Sequence, residues 1–513
     1  EVIKLETFDG NTEEINNNLN KFITEHGKRS SFNELNDNNL RKNIWTQLFS
    51  VLNNEDFKSA HTASLGVLRI LSRDKTDINE LITKERVTIL LKFSLLEEDI
   101  DLQNVDLHSS NRIEALKLLC NLIYHSQQAR SLLIQTPCLS QTVQRISKHK
   151  NLLTHEEKLF HIRLLFLITA LSINSRNIVK TELKGDLCLI EILADVAKQQ
   201  ENQSESVLKN DEADIPCEVL KVLFNLYIKS EEEEGEDEKY KNLVSILFVL
   251  LIRESSADQE ELKSHIVNLL TVVPTNSYSA LIPAIDLNAD ESARNIDTRA
   301  VSMLLNFLDK RLDSDTDLAE NICPILTVLI RLSKAQRLAR KYIRLQILPP
   351  LKDVMKRPEE GTTIRAKMCK QLTSPHTGLR DLVAELIFIL CKENVGRMVK
   401  YTGYGNAAGM FANKGLLGGR QSETNYSSES EDSDTDEYIK YKEQINPITG
   451  CYESPKPNPM EGMSEERKEY EALQLAQLMD KLTREGIVQP CRIGEDGRPK
   501  PIEHVLELQS DSK

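Results

Sequence analysis

The sequence predicts an all-α fold: an armadillo/HEAT-type superhelical solenoid, followed by a flexible acidic linker and a C-terminal amphipathic helix. Three observations carry this. From residue 15 to about 400, apolar residues recur at helical spacing between short polar connections, without the two-residue alternation of strands. EALKLLCNLI (114–123) and EVLKVLFNLY (218–227) match at Glu, Leu, Lys, Leu, Asn and Leu, and Asn268 and Asn306 follow Asn225 at intervals of 43 and 38 residues. Those intervals are close to the roughly 40–47 residues of armadillo or HEAT units. Aromatics make up only 5% of a chain that is 40% hydrophobic, which suits thin helical layers better than a thick sandwich core.

The 513 residues suffice for several domains or one long solenoid. The longest apolar run, LVSILFVLLI (243–252), is about half the roughly 20 residues a membrane span needs. The opening EVIKLETFDGN lacks the basic-then-apolar pattern of a secretory signal. The nine cysteines occur singly, several inside apolar helical runs, which points to buried thiols in a reducing, cytoplasmic setting and away from a disulfide framework or a zinc site. A net charge of −14 argues against nucleic acid as the main partner.

Residues 1–402 read as the solenoid. A single Asn in a Leu-rich helix is usually structural, but recurrence at one point of the repeat also fits a residue on a concave surface, where the amide can hydrogen-bond a guest. Asn121, Asn225, Asn268 and Asn306 are therefore candidates for one groove, and His265, just before IVNLL, for its lining or the core. SEEEEGEDE (230–238) reads as a solvated loop. In RLSKAQRLARKYIR (331–344), Arg337, Arg340, Lys341 and Arg344 share one helical face.

GYGNAAG (403–409) breaks the helical pattern and opens a short helical segment, 403–425, that turns off the solenoid. Met410, Phe411, Leu416 and Leu417 within it are candidate anchors for a calcium sensor with an apolar groove. Residues 426–463 form the acidic linker. Its run SSESEDSDTDEY (427–438) offers hydroxyls to an acid-directed protein kinase: Ser428 has Glu431, and Ser433 has Asp436, three residues on. Phosphates there would add charge that the arginine face can bind; a plain solubilising spacer is the other reading. At 464–486, Ser464 is the expected N-cap and Gly486 the stop. Leu475, Leu478, Met479 and Leu482 form an apolar stripe that either packs back on the solenoid or clasps a guest. Residues 487–513 read as a tail. No phosphate loop, HExxH or GxSxG motif occurs, so no cofactor and no enzymatic chemistry are expected.

ALKLLCNLIY (115–124), LPPLKDVMKRPEEGTTIR (348–365), LCKENVGRMVKYTGYGNAAG (390–409) and NPMEGM (458–463) closely resemble signatures of the synembryn family (resistance to inhibitors of cholinesterase), in family order. The resemblance implies a chaperone and guanine-nucleotide exchange factor for G-protein α subunits, with membrane recruitment through that subunit. It implies that the inner groove, with Arg69 and Arg73, holds the C-terminal helix of the α subunit. It aligns the regulatory phosphosites with Ser430 and Thr435, although Ser430 has Ser433 rather than an acid at the third following position. A neuronal calcium sensor would be a further partner. An adaptor of another class, binding extended peptides in the same groove, leaves YGNAAG and NPMEGM unexplained.

Overall fold

The computed structural model describes residues 12–36, 39–97, 110–148, 152–201, 210–229, 235–253, 260–285, 296–314, 317–417, 434–454, 460–494 and 496–502. The chain divides at Val273 and Pro274 into two units, where the sequence suggested one solenoid over 1–402. The first carries α1 (Thr12–His26), α2 (Asn33–Asn36), α3 (Leu40–Leu52), α4 (His61–Leu71), α5 (Lys84–Phe93), α6 (Ser110–His125) and α7 (Gln127–Ile134). It continues with α8 (Cys138–Lys148), α9 (His155–Leu171), α10 (Ile173–Asn177), α11 (Gly185–Glu201), α12 (Asn210–Tyr227), α13 (Asp237–Leu251) and α14 (Glu260–Leu270). Helices α1, α4, α6, α9, α12 and α14 pack each on the next, while α3, α5, α8, α11 and α13 form a second layer against them. This is the predicted helical-repeat stack, and its core is aliphatic, with Leu65, Leu118, Leu164, Leu220 and Leu269 fully buried.

The repeated sequence has a repeated structural job. In α6, Glu114 accepts from Arg69 Nε of α4 at 2.6 Å, and Asn121 Nδ2 donates to Arg69 O at 3.1 Å and Ser72 Oγ at 2.9 Å. In α12, Glu218 accepts from Arg163 Nη2 of α9 at 2.6 Å, and Asn225 Nδ2 donates to Phe166 O at 3.3 Å and Thr169 Oγ1 at 3.2 Å. Each asparagine thus joins its helix to the preceding layer, satisfying carbonyl and hydroxyl groups at a helix end. The amide donors expected to meet a guest are engaged inside the protein. Asn268 is half-buried on α14, and Asn306 is exposed on a helix of the second unit.

A polar cluster lies inside the first unit. Arg112, Arg145, Glu157 and His161 are all buried. Burial first, and then the neighbouring Arg145 and Arg112, hold the His161 imidazole down to about 3, against an ordinary 6.5. Between those values the unfolded chain takes up a proton that the folded chain refuses, so this residue makes stability fall as pH drops below about 6.5 and is neutral above it. His161→Gln is expected to flatten the acid side of the stability profile, read as urea midpoints at pH 4 to 7. An unchanged slope would remove His161 as its source. Several cysteines behave as small apolar groups: burial pushes the thiols of Cys120, Cys138, Cys369 and Cys391 up to about 12.

The second unit holds α15 (Arg299–Leu312), α16 (Leu318–Ala335), α17 (Arg337–Ile347), α18 (Ile364–Gln371), α19 (Thr377–Leu390), α20 (Val395–Thr402), α21 (Tyr404–Lys414), α22 (Asp436–Tyr441) and α23 (Glu465–Arg484). Helix α16 packs on α15, α17 and α19, and α19 also meets α18, α20 and α21. Two antiparallel hairpins were not foreseen: β1 (Ile445–Asn446) with β2 (Cys451–Tyr452), and β3 (Cys491–Ile493) with β4 (Pro499–Pro501).

Several boundaries shift accordingly. Gly403 breaks the helix as expected, at φ +73°, but the chain stays with the fold, because α21 packs on α19 and α20. Phe411 is fully buried beside Tyr404, so it is core and not an exposed anchor for a calcium sensor. The 426–463 linker is interrupted: Tyr438 and Cys451 are buried, Lys400 pairs with Asp434 at 2.5 Å, and Tyr452 N donates to Val354 O at 2.7 Å. The tail from 487 contains the second hairpin. In the acidic insertion, Glu236 pairs with Lys180 at 3.6 Å and accepts from Tyr240 at 3.2 Å, so its end is tied down at the start of α13. Among the described residues, no helix is long and apolar enough to cross a membrane.

Candidate functional site: a cationic cleft on the first unit

In α6, Glu114, Lys117, Asn121 and Tyr124 recur at three- or four-residue steps, so all four lie along one stripe. Phe160, Arg163 and Leu167 do the same on α9, and Arg69 with Arg73 on and just after α4. Between the three helices lies a cleft of about 380 Å³ lined by Arg69, Arg73, Lys117, Asn121, Tyr124, Phe160, Arg163 and Leu167, with Cys120 at its floor. Of the predicted groove residues, this brings together Arg69, Arg73 and Asn121. Asn225, His265 and Asn268 lie on later helices of the same unit.

Four cations and no carboxylate line the cleft. Neighbouring carboxylates pair with them: Glu114 takes Arg69, and Glu156 takes Lys117 at 2.7 Å. The Phe160 ring lies 5.3 Å from Lys117 Nζ and 5.6 Å from the Arg163 guanidinium, an arrangement that holds both side chains in place. Arg73 Nη1 donates to Gly27 O at 2.5 Å, securing the end of α1. Burial and then the adjacent Arg69 charge push the Arg73 guanidinium below its ordinary value. At the mouth, Tyr124 is 62% exposed, a large amphipathic side chain of the kind that anchors partners. Lys117, Tyr124, Phe160 and Arg163 were missed from sequence, although the stripe of Glu114, Lys117, Asn121 and Tyr124 was readable there. His265 lies 3.3 Å from Glu261, and burial outweighs that neighbour in lowering its basicity.

The basic face is less uniform than predicted. Gln336 has an extended backbone that separates α16 from α17. On α17, Arg337 and Lys341 are exposed, Arg340 donates to Ser333 O at 2.7 Å, and Arg344 is buried. Of the candidate phosphosites, Ser428, Ser430 and Ser433 lie outside the described residues. Thr435 is the N-cap of α22: its Oγ1 accepts from Tyr438 N at 3.1 Å and donates to Leu351 O.

Helix α23 follows its prediction closely. Ser464 caps it, accepting from Arg467 N, and Gly486 follows its end at φ +71°. None of its residues is buried. Leu475, Leu478 and Met479 are 62%, 52% and 41% exposed, and Leu482 is half-buried. The reading in which the stripe packs onto the fold is therefore not the observed arrangement.

The chain matches the family model described as guanine nucleotide exchange factor synembryn, Ric8, over residues 64–498. It is 37% identical over 485 residues to a protein of Xenopus tropicalis named Chaperone Ric-8A, covering 91% of this chain and 89% of that protein. It is 34% identical over 551 residues to Chaperone Ric-8 of Drosophila melanogaster (96% and 94% covered), and 36% identical over 512 residues to Chaperone Ric-8A of Mus musculus (98% and 94%). Among solved structures, an engineered protein aligns with a TM-score of 0.44 and 15% identity over 78% of this chain and 90% of its own.

Proposed function

Because the chain belongs to the synembryn (Ric8) family of guanine nucleotide exchange factors, we propose that it is an exchange factor and folding chaperone for G-protein α subunits, with the cationic cleft of α4, α6 and α9 receiving the subunit's C-terminal helix. The observation that carries this reading is a cleft wall of Arg69, Arg73, Lys117 and Arg163 with Tyr124 at its mouth. Such a wall suits the carboxylate end of a guest helix, and the aromatic lip suits its apolar side chains.

Exchange then needs binding alone and no covalent step. If the chain binds the empty subunit more tightly than the GDP-bound one, GDP affinity falls by the same factor. Every 1.4 kcal/mol of that preference weakens GDP about tenfold. The exposed stripe of α23 would grip a second part of the same guest, raising the effective concentration of both contacts. Chaperoning follows from the same preference for an open subunit. The protein would act in the cytoplasm, reaching the membrane through its guest.

The test is GDP release from a purified α subunit, with and without this protein, repeated on a subunit lacking its last C-terminal residues. Acceleration that disappears on truncation is the expected result. Tyr124→Ala should raise the concentration needed for half-maximal acceleration about tenfold without changing thermal stability, because the side chain is exposed. Acceleration indifferent to both changes would place the contact elsewhere, and no acceleration with any α class would leave chaperone or adaptor as the activity.

A further inference from the structure

Helix α23 is bracketed by two hairpins, and both touch α21, at opposite ends. At the start of α21, Tyr404 N donates to Pro447 O at 2.8 Å and Gly405 N to Ile448 O at 2.9 Å, in the turn between β1 and β2. There Gly403 and Gly450, at φ +73° and +70°, approach so closely that a Cβ on Gly450 would meet the Gly403 backbone at 3.0 Å. At the far end, Leu417 N donates to Gly497 O at 3.3 Å, in the turn between β3 and β4. A Cβ on Gly497 would collide with the Gly415 carbonyl, and one on Gly415 with the Asp496 carbonyl.

We propose that α23 is a strap closed at both ends on α21, with a permanent proximal anchor and a distal latch that opens. The lengths support this. Twenty residues of α23 make a rod of about 30 Å, whereas the eleven residues of α21 separate the anchors by about 16 Å. The rod is longer than its footing, and none of its residues is buried. The two closures are unequal. The proximal one includes buried Tyr438 and Cys451 and the pairing of Asp434 with Lys400 and Lys442. Among the described residues, the distal one is formed by the Leu417–Gly497 hydrogen bond and the close approach of Gly415 to Asp496 and Gly497, and the strand residues of β3 and β4 are exposed except for half-buried Arg492. Local opening starts where burial is least. Release of the latch turns a strap into an arm held at one end. The closure is intramolecular and does not depend on which guest α23 meets.

Amide hydrogen exchange on the full chain decides it. In the wild type, the amides of Leu417, Gly494 and Ile502, which donate to Gly497 O, Arg498 O and Pro490 O, should exchange at least about tenfold more slowly than unstructured chain, and faster than those of Tyr404 and Gly405. Gly497→Ala should abolish the distal protection and leave Tyr404 and Gly405 unchanged. Gly415→Ala lies outside the hairpin, so loss of protection at Gly494 and Ile502 in that variant separates docking from the folding of the hairpin turn. Unprotected distal amides in the wild type, or distal protection that survives both substitutions, would overturn the strap.

Discussion

Glu157→Ala is expected to lower the unfolding free energy of the first unit by about 3–5 kcal/mol, the usual cost of removing one partner from a buried ion pair. The Glu157 carboxylate accepts from Thr154 N at 2.9 Å and Thr154 Oγ1 at 3.0 Å, and lies 3.0 Å from Arg112 Nε. Truncation therefore removes half of a capping box and strips a buried guanidinium of its counter-charge. Trp45, the chain's one tryptophan, is buried in α3 of the same unit and reports the transition by fluorescence in urea. Glu156→Ala is the control. That carboxylate is 48% exposed and pairs with Lys117, so its loss should cost under about 1 kcal/mol. Equal shifts for the two variants would refute a special role for the buried pair.

The second large effect is functional. Replacing Leu475, Leu478 and Met479 together with Ser should leave the melting temperature unchanged, because these side chains already face solvent. Under the proposed function it should reduce exchange and chaperone activity by at least about tenfold, since each apolar side chain buried against a guest contributes roughly 1.5–3 kcal/mol. Activity at the wild-type level would show that the stripe meets no guest. A large fall in melting temperature would show that it packs within the protein.

Legibility followed the locality of the signal. Ser464 and Gly486 act through backbone a few residues away, so the ends of α23 were readable from the sequence. The Glu, Lys and Asn spacing shared by α6 and α12 revealed the repeat, but it could not say that Asn121 and Asn225 would point their amides at the preceding layer, because Ser72 and Thr169 lie 49 and 56 residues away. Composition misled where a charged run abuts an apolar one: SSESEDSDTDEY concealed that Tyr438 buries itself and that Thr435 caps a helix. Phe411 reads as an exposed anchor only while its contact with Tyr404 is unknown. Within the cleft, Lys117 of α6 meets Phe160 of α9, and so comes beside Arg163, through a tertiary contact that no local pattern encodes.

The clamps of α6 and α12 share a direction. Between layers, Glu114 and Asn121 reach back to Arg69 and Ser72, and Glu218 and Asn225 to Arg163, Phe166 and Thr169. Each of these partners in the preceding layer has already been synthesised when its clamp emerges from the ribosome. Each new layer of the first unit can lock onto the one before it without waiting for sequence still to come, so a chain proposed here as a folding chaperone is arranged to assemble itself in the order in which it is translated.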